Sequence, residues 1–119
     1  MKVRLSTSSA LGAVILRHNI IRTINGEYER VAIETWSYKR SSDNYDIIFH
    51  NPDQYVNDTE KNVIFRVISD GNDVVFVPAW WKNNPQPSDE MICLHVGRLV
   101  EMLTRYFSKE FSVCTIVKD

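Results

Sequence analysis

The stretch SDEMICLHVGRLVEMLTRYFSK, residues 88–109, decides the fold because it has the pattern of one long amphipathic helix. Its apolar residues recur at every third or fourth position, which places them on one side of a helix. They are Ile92, Val96, Leu99, Leu103 and Tyr106. Ser88 can cap the first turn, and Arg105 and Lys109 suit the negative end of the helix dipole. The segments before and after this helix need its apolar stripe to complete a core.

Short apolar runs separated by turn residues precede the helix, which is the pattern of β-strands. The predicted strands cover residues 2–6, 27–39, 45–50, 63–69 and 74–77, with a final strand after Glu110. The tetrapeptide Asp70-Gly71-Asn72-Asp73 has the composition of a tight turn. Consecutive hairpins and one late helix predict an α+β fold. We expect a mainly antiparallel, twisted sheet of about five to seven strands, packed by one long C-terminal helix and ending in a final strand. Residues 1–119 should form a single domain.

Residues 9–24, SALGAVILRHNIIRTI, are compatible with two structures. As a helix, they would place apolar residues on one face behind a serine cap. As strands, their two β-branched runs would form a hairpin. The β-branched content and Gly12 favour the strands, and we expect them here, with the helix as the open alternative. Asn25 and Gly26 predict a further hairpin, because both tolerate the positive φ of a type I′ turn.

Composition excludes several classes of function. The 14 Lys and Arg residues against 15 Asp and Glu residues give a net charge of −1, so overall charge attracts neither nucleic acid nor an anionic membrane. No apolar run is long enough for a transmembrane helix, and the short run 10–16 lacks the cleavage site of a signal peptide. Cys93 and Cys114 have no metal-ligand spacing. We expect reduced thiols in a cytoplasmic protein.

The long predicted strand 27–39 has an unusual even-numbered face. Successive strand residues point to opposite sides, so Val31 and Ile33 would enter the core while the even positions face solvent. Aromatic residues and arginine are enriched at the centres of protein interfaces. We therefore predict a binding surface made of Arg30, Trp36, Tyr38 and Arg40. The pattern leaves open which face of this strand is buried.

The adjacent pair Trp80-Trp81 is the second candidate contact. Neighbouring residues in an extended chain face opposite ways, so one ring should pack against the helix and the other should be partly exposed. The loop that follows is rich in asparagine and proline, and an exposed tryptophan in such a loop is a candidate anchor for a partner. The predicted binding residues here are Trp80, Trp81 and Lys82.

No catalytic motif stands out in the sequence. A nucleotide-binding glycine loop, a GxSxG elbow and an HExxH zinc motif are all missing. We predict neither an enzyme, nor a cofactor, nor a metal site. A weaker alternative is a small enzyme in which His50 and the nearby carboxylates of Asp53, Asp58 and Glu60 transfer protons.

These patterns predict a small, non-catalytic protein-binding module. It would act by protein–protein contact as an inhibitor, an immunity protein or antitoxin, or a phage-encoded blocker of a host system. A homodimer through an aromatic sheet face belongs to the same hypothesis, and a membrane partner does not. The alternative is a domain that binds or mimics nucleic acid, in which the aromatic and arginine residues of strand 27–39 stack on bases and hold phosphates.

Overall fold

The structure, a computed structural model, describes residues 1–27, 33–52 and 63–118. The described elements are β1 (Lys2–Ser6), α1 (Ala10–Ile24), β2 (Trp36–Arg40), β3 (Asp46–His50), β4 (Ile64–Asp70), β5 (Asp73–Ala79), α2 (Asp89–Phe107) and β6 (Val113–Val117). The strands form one sheet in the order β2-β3-β4-β5-β1-β6, and each neighbouring pair is antiparallel. The predicted α+β fold, with a long C-terminal helix and a final strand, is confirmed.

Helix α2 forms where the sequence pattern predicts it. The side chain of Ser88 caps its start by accepting a hydrogen bond from the backbone N–H of Met91 at 3.2 Å. The buried side chains of α2 are His95, Val96, Leu99, Met102, Leu103 and Phe107. The apolar pattern predicts Tyr106 in this stripe, but this residue is 36% exposed at the last turn, where the guanidinium of Arg105 lies 5.4 Å from its ring centre.

The strand prediction for residues 9–24 is wrong, because this segment is helix α1. The hydroxyl of Ser9 accepts a hydrogen bond from the N–H of Gly12 at 2.9 Å and caps the helix. The buried residues Ala13, Leu16, Ile20, Thr23 and Ile24 form one stripe that packs on the sheet. Burial of such a stripe outweighs the β-propensity of single residues, because most helix stability in proteins comes from tertiary packing.

Two further local predictions are corrected. Gly26 has the expected positive φ of 75°, but its N–H donates to the carbonyl of Thr23 and ends α1 instead of forming a hairpin. Of the predicted strand 27–39, the structure describes residue 27 and residues 33–39, and within them β2 begins only at Trp36. Arg30 lies outside the described residues.

Both helices pack on the same side of the sheet. Their buried stripes join alternate strand residues in one core, which includes Val3, Leu5, Ile48, Phe65, Val67, Val74 and Phe76. The intervening strand residues point to the opposite side. Among the described residues no helix lies on that side, and we call it the open face.

Candidate functional site

The open face carries two cation–aromatic pairs. The guanidinium of Arg66 lies 4.6 Å from the ring centre of Tyr45, and the ammonium of Lys39 lies 5.3 Å from the ring of Trp81. The sheet register places the two cations in one row: Lys39 pairs with Ile47 across β2 and β3, and Ile47 pairs with Arg66 across β3 and β4. Both cations therefore flank a single isoleucine in one row of the sheet.

A third aromatic ring completes this group. Phe49 meets Trp81 edge to face, with ring centres 5.8 Å apart and an angle of 78° between the rings. We call Lys39, Tyr45, Phe49, Arg66 and Trp81 the open-face cluster. Tyr45 is 41% exposed, whereas Ile47 and Ile64 on the same face are buried at 3%. The cluster is therefore a partly exposed aromatic and basic layer on an apolar floor.

Trp80 and Trp81 lie on opposite sides of the sheet, as expected for adjacent residues in an extended chain. Trp80 is 38% exposed and lines a groove of about 850 Å³ together with Ile92 and Cys93 of α2. Lys2 and Lys118 also line this groove, at the ends of β1 and β6. Lys82 is exposed in the loop that follows. Of the residues predicted around the tryptophan pair, only Trp81 joins the open-face cluster.

Trp36 belongs to the core, so the outward orientation expected for it is wrong. It is only 3% exposed, and its ring packs 5.4 Å from His50 and 6.2 Å from Phe65. The even-numbered residues of β2 share the face of β3 and β4 that carries His50 and Phe65, and the helices cover that face. Trp36 therefore has no exposed ring to offer a partner or a base.

Tyr38 and Arg40 are held by a buried carboxylate. The hydroxyl of Tyr38 donates to Asp46 Oδ1 at 2.6 Å, and Arg40 donates to the same oxygen at 3.1 Å. Arg17 of α1 donates to Asp46 Oδ2 and, through Nε, to the carbonyl of Val67 at 3.2 Å. We call Arg17, Tyr38, Arg40 and Asp46 the Asp46 cluster.

The Asp46 cluster connects helix α1 to strands β2, β3 and β4 through hydrogen bonds and ion pairs, and its role is structural. The Asp46 side chain is 7% exposed. Burial and the hydrogen bond to Asp46 raise the pKa of Tyr38, so its hydroxyl remains a donor at neutral pH. The side chain of Arg40 is 56% exposed and stays a candidate contact at the margin of the sheet.

His50 and His95 lie on the helix-covered side. His95 is 1% exposed, and its Nδ1 lies 2.7 Å from the carbonyl oxygen of Met91. Burial lowers the pKa of His95. Burial also lowers the pKa of His50, and repulsion from His95 when that ring is protonated, together with the charge of Arg98, lowers it further. Both rings therefore favour the neutral form in the folded protein.

The alternative function, proton transfer by His50, also requires the carboxylates of Asp53, Asp58 and Glu60. These three residues lie outside the described residues. Within residues 1–27, 33–52 and 63–118, no three histidine, cysteine or acidic side chains are grouped so that they could hold a metal ion.

We expect acid to destabilise the fold through these two histidines. Their folded-state pKa values lie below the ordinary value of 6.5. As the pH falls below 6.5, the unfolded chain binds protons that the folded chain does not, so the free energy of unfolding decreases. The slope reaches at most about 1.4 kcal/mol per pH unit for each histidine. Urea unfolding at a series of pH values between 7.5 and 5 would measure it.

His95→Leu should make this pH dependence shallower, because it removes one of the two titrating rings. The matched variant Val96→Ala removes a neighbouring buried side chain that does not ionise, so it should lower the stability and keep the wild-type slope. An equal slope in His95→Leu and in the wild type would show that His95 does not titrate differently on unfolding.

Four residues of the open-face cluster were not identified from the sequence: Lys39, Tyr45, Phe49 and Arg66. A usable signal was present in the turn Asp70–Asp73, which fixes the register of β4 against β5 and so assigns Arg66 to a face. These four residues are neighbours on three strands only because β3 pairs with both β2 and β4. Local sequence does not specify that pairing.

Comparison with known proteins found no matching family model, no matching curated protein and no matching solved structure. In the described part of the chain, neither helix has the length and apolar character needed to cross a bilayer.

Proposed function

We propose that this chain is a non-catalytic protein-binding module whose contact surface is the open-face cluster. The observation that carries the proposal is the pairing of exposed cations with aromatic rings on the sheet face that no described helix covers. Aromatic rings and arginine supply most of the binding energy at protein interfaces, especially when a rim of other side chains excludes water from them. The roles predicted from the sequence, those of an inhibitor, an immunity protein or antitoxin, or a phage-encoded blocker, all require such a surface.

The chemistry of the cluster specifies the kind of partner. Lys39 and Arg66 are exposed cations, and neither has an ion-pair partner among the described residues. A complementary surface would combine carboxylates for these cations with apolar groups for Phe49 and Trp81. Opposite charges steer such partners together and select against basic surfaces.

Binding of single-stranded nucleic acid is the second candidate function. The same alternation of rings and cations can stack on bases and hold phosphates. The residues first predicted for this role do not support it, because Trp36 is buried and Tyr38 is engaged by Asp46. Lys39, Tyr45, Arg66 and Trp81 would take their place. The net charge of −1 provides no overall attraction to phosphate.

The test is an affinity capture from a lysate of the source organism, run with and without nuclease and analysed by mass spectrometry. We expect a stoichiometric protein that survives nuclease treatment and is lost with the double variant Tyr45→Ala/Arg66→Ala. Truncating a central aromatic or arginine residue of an interface typically weakens binding by about 2 kcal/mol or more. Recovery of nucleic acid, with an affinity that falls steeply with salt, would instead establish the second candidate.

The chain offers a matched control on its other side. Tyr106→Ala/Arg105→Ala removes the same two residue types from a cation–aromatic pair on α2, away from the open face. This variant should retain the partner. If both double variants retain it, or both lose it, the open-face cluster is not the contact surface.

A further inference from the structure

In the part of the chain that the structure describes, strand β6 is an edge of the sheet that lacks the usual protection against pairing. It is the last strand in the order, next to β1 only, and consists of Val113, Cys114, Thr115, Ile116 and Val117. Natural edge strands are commonly protected by charged residues, proline or bulges. The opposite edge, β2, carries Lys39 and Arg40. Strand β6 has no charge and no proline, and Val113 and Ile116 are 53% and 52% exposed.

Hydrogen bonding shows which backbone groups of β6 point outward. The N–H of Thr7 donates to the carbonyl of Asn72 in the turn before β5, and successive strand residues direct their backbone groups to alternate sides. The backbone N–H and C=O groups of Leu5 and Val3 therefore form hydrogen bonds with β5. The backbone groups of Ser6, Arg4 and Lys2 form hydrogen bonds with β6. The N–H of Ser112, donated to the carbonyl of Ser6 at 2.9 Å, agrees with this assignment.

The partners of Ser6, Arg4 and Lys2 on β6 are Val113, Thr115 and Val117. These three residues turn their backbone groups inward to β1. It follows that Cys114 and Ile116 present their N–H and C=O groups to the free edge.

We propose that β6 pairs with β6 of a second copy of this chain, antiparallel and around a two-fold axis at Thr115. In this register Cys114 lies opposite the second copy's Ile116 and Ile116 opposite its Cys114, so the outward-pointing backbone groups bond to one another in both copies. In a register displaced by one residue, the outward-pointing backbone groups of one strand would lie opposite inward-pointing groups of the other and could not form hydrogen bonds with them. The register centred on Thr115 also pairs the full length of both strands.

The side chains are complementary in the same register. On the helix side, the exposed Ile116 lies beside Cys114 of the other copy. On the open face, Val113 meets Val117, and the two Thr115 side chains meet at the axis as a non-hydrogen-bonded pair, with Cα atoms about 4.5 Å apart. Valine pairs and threonine pairs are favourable cross-strand neighbours. Lys118 comes opposite Ser112, so no like charges oppose each other.

The pairing joins two sheets into one continuous sheet and leaves the open-face cluster accessible at the far side of each copy. The inference is independent of the proposed partner, because no residue of the open-face cluster lies on β6. A contact made by one short strand from each copy is smaller than a standard stable interface, so we expect a dimer whose population rises with concentration.

The test is sedimentation velocity of the full chain over a wide concentration range, with reductant present to keep Cys93 and Cys114 as thiols. The wild type should shift from monomer to dimer as its concentration increases. Thr115→Lys and Thr115→Glu should each raise the dissociation constant by at least about tenfold, because like charges directly opposite each other on neighbouring strands are destabilising. An equal mixture of the two variants should form the dimer again, since lysine then faces glutamate at the axis.

Thr35→Lys serves as the matched control, because Thr35 is an exposed threonine in the turn before β2, at the other edge of the sheet. This variant should dimerise like the wild type, and circular dichroism should show that every variant is folded. A wild type that stays monomeric at all concentrations would overturn the proposal. So would a dimer that Thr115→Lys leaves unchanged, or a loss of dimer that mixing the two charged variants does not restore.

Discussion

Trp36→Ala is expected to lower the free energy of unfolding by about 3–5 kcal/mol, the usual cost of truncating a buried tryptophan. The ring is 3% exposed and packs against His50 and Phe65. Alanine would leave a cavity between β2 and the rest of the core. Domains are commonly stable by only about 5–15 kcal/mol, so the loss is a large part of the total. Urea unfolding followed by far-ultraviolet circular dichroism would measure it.

Trp80→Ala is the matched control, since Trp80 is 38% exposed and lines an open groove. It should cost much less stability than Trp36→Ala. If Trp36→Ala does not fold, Trp36→Phe retains an aromatic ring and should show a smaller loss in the same direction. Equal unfolding midpoints for Trp36→Ala and the wild type would contradict the placement of Trp36 in the core.

Local sequence predicts correctly those elements whose capping, turn and apolar residues all lie within one short segment. Helix α2 has a serine cap, an apolar stripe and suitable charges at both ends. The hairpin of β4 and β5 has its turn residues, Asp70 to Asp73, between two apolar runs. The sequence of helix α1 predicts the wrong element, because its β-branched residues favour strands locally. Its buried stripe gains stability only against a sheet whose other strands come later in the chain.

The candidate site was harder to predict because it depends on which face of β2 is buried. Alternation in the sequence sorts its side chains into two sets but does not say which set faces the helices. Helix α1 settles the question by covering the side that carries Trp36 and Tyr38. Lys39 belongs to the other set and therefore lies on the open face. The pairing of β2, β3 and β4 places it in the same row as Arg66. Such contacts are specified by the assembled sheet and not by any single segment.

Asp46→Ala is expected to lower the free energy of unfolding by about 3–5 kcal/mol, the usual cost of breaking a buried ion pair by removing one partner. The carboxylate is 7% exposed and accepts hydrogen bonds from Arg17, Tyr38 and Arg40. Its loss leaves the Arg17 guanidinium, which is 25% exposed, without its counter-charge, and leaves the Tyr38 hydroxyl without its acceptor. Urea unfolding at neutral pH would measure the change.

Asp70→Ala is the matched control, because Asp70 is 59% exposed and pairs with Arg4 at 3.1 Å. Exposed ion pairs contribute about 0–1 kcal/mol, so this variant should remain close to the wild type. The double variant Arg17→Met/Asp46→Ala should recover part of the loss seen in Asp46→Ala, since no buried charge is then left unpaired. If Asp46→Ala lowers the free energy of unfolding no more than Asp70→Ala does, the Asp46 cluster does not stabilise the packing of α1 on the sheet. The single variant Arg17→Met completes the comparison. If the double variant loses the sum of the losses in Arg17→Met and Asp46→Ala, Arg17 and Asp46 act independently.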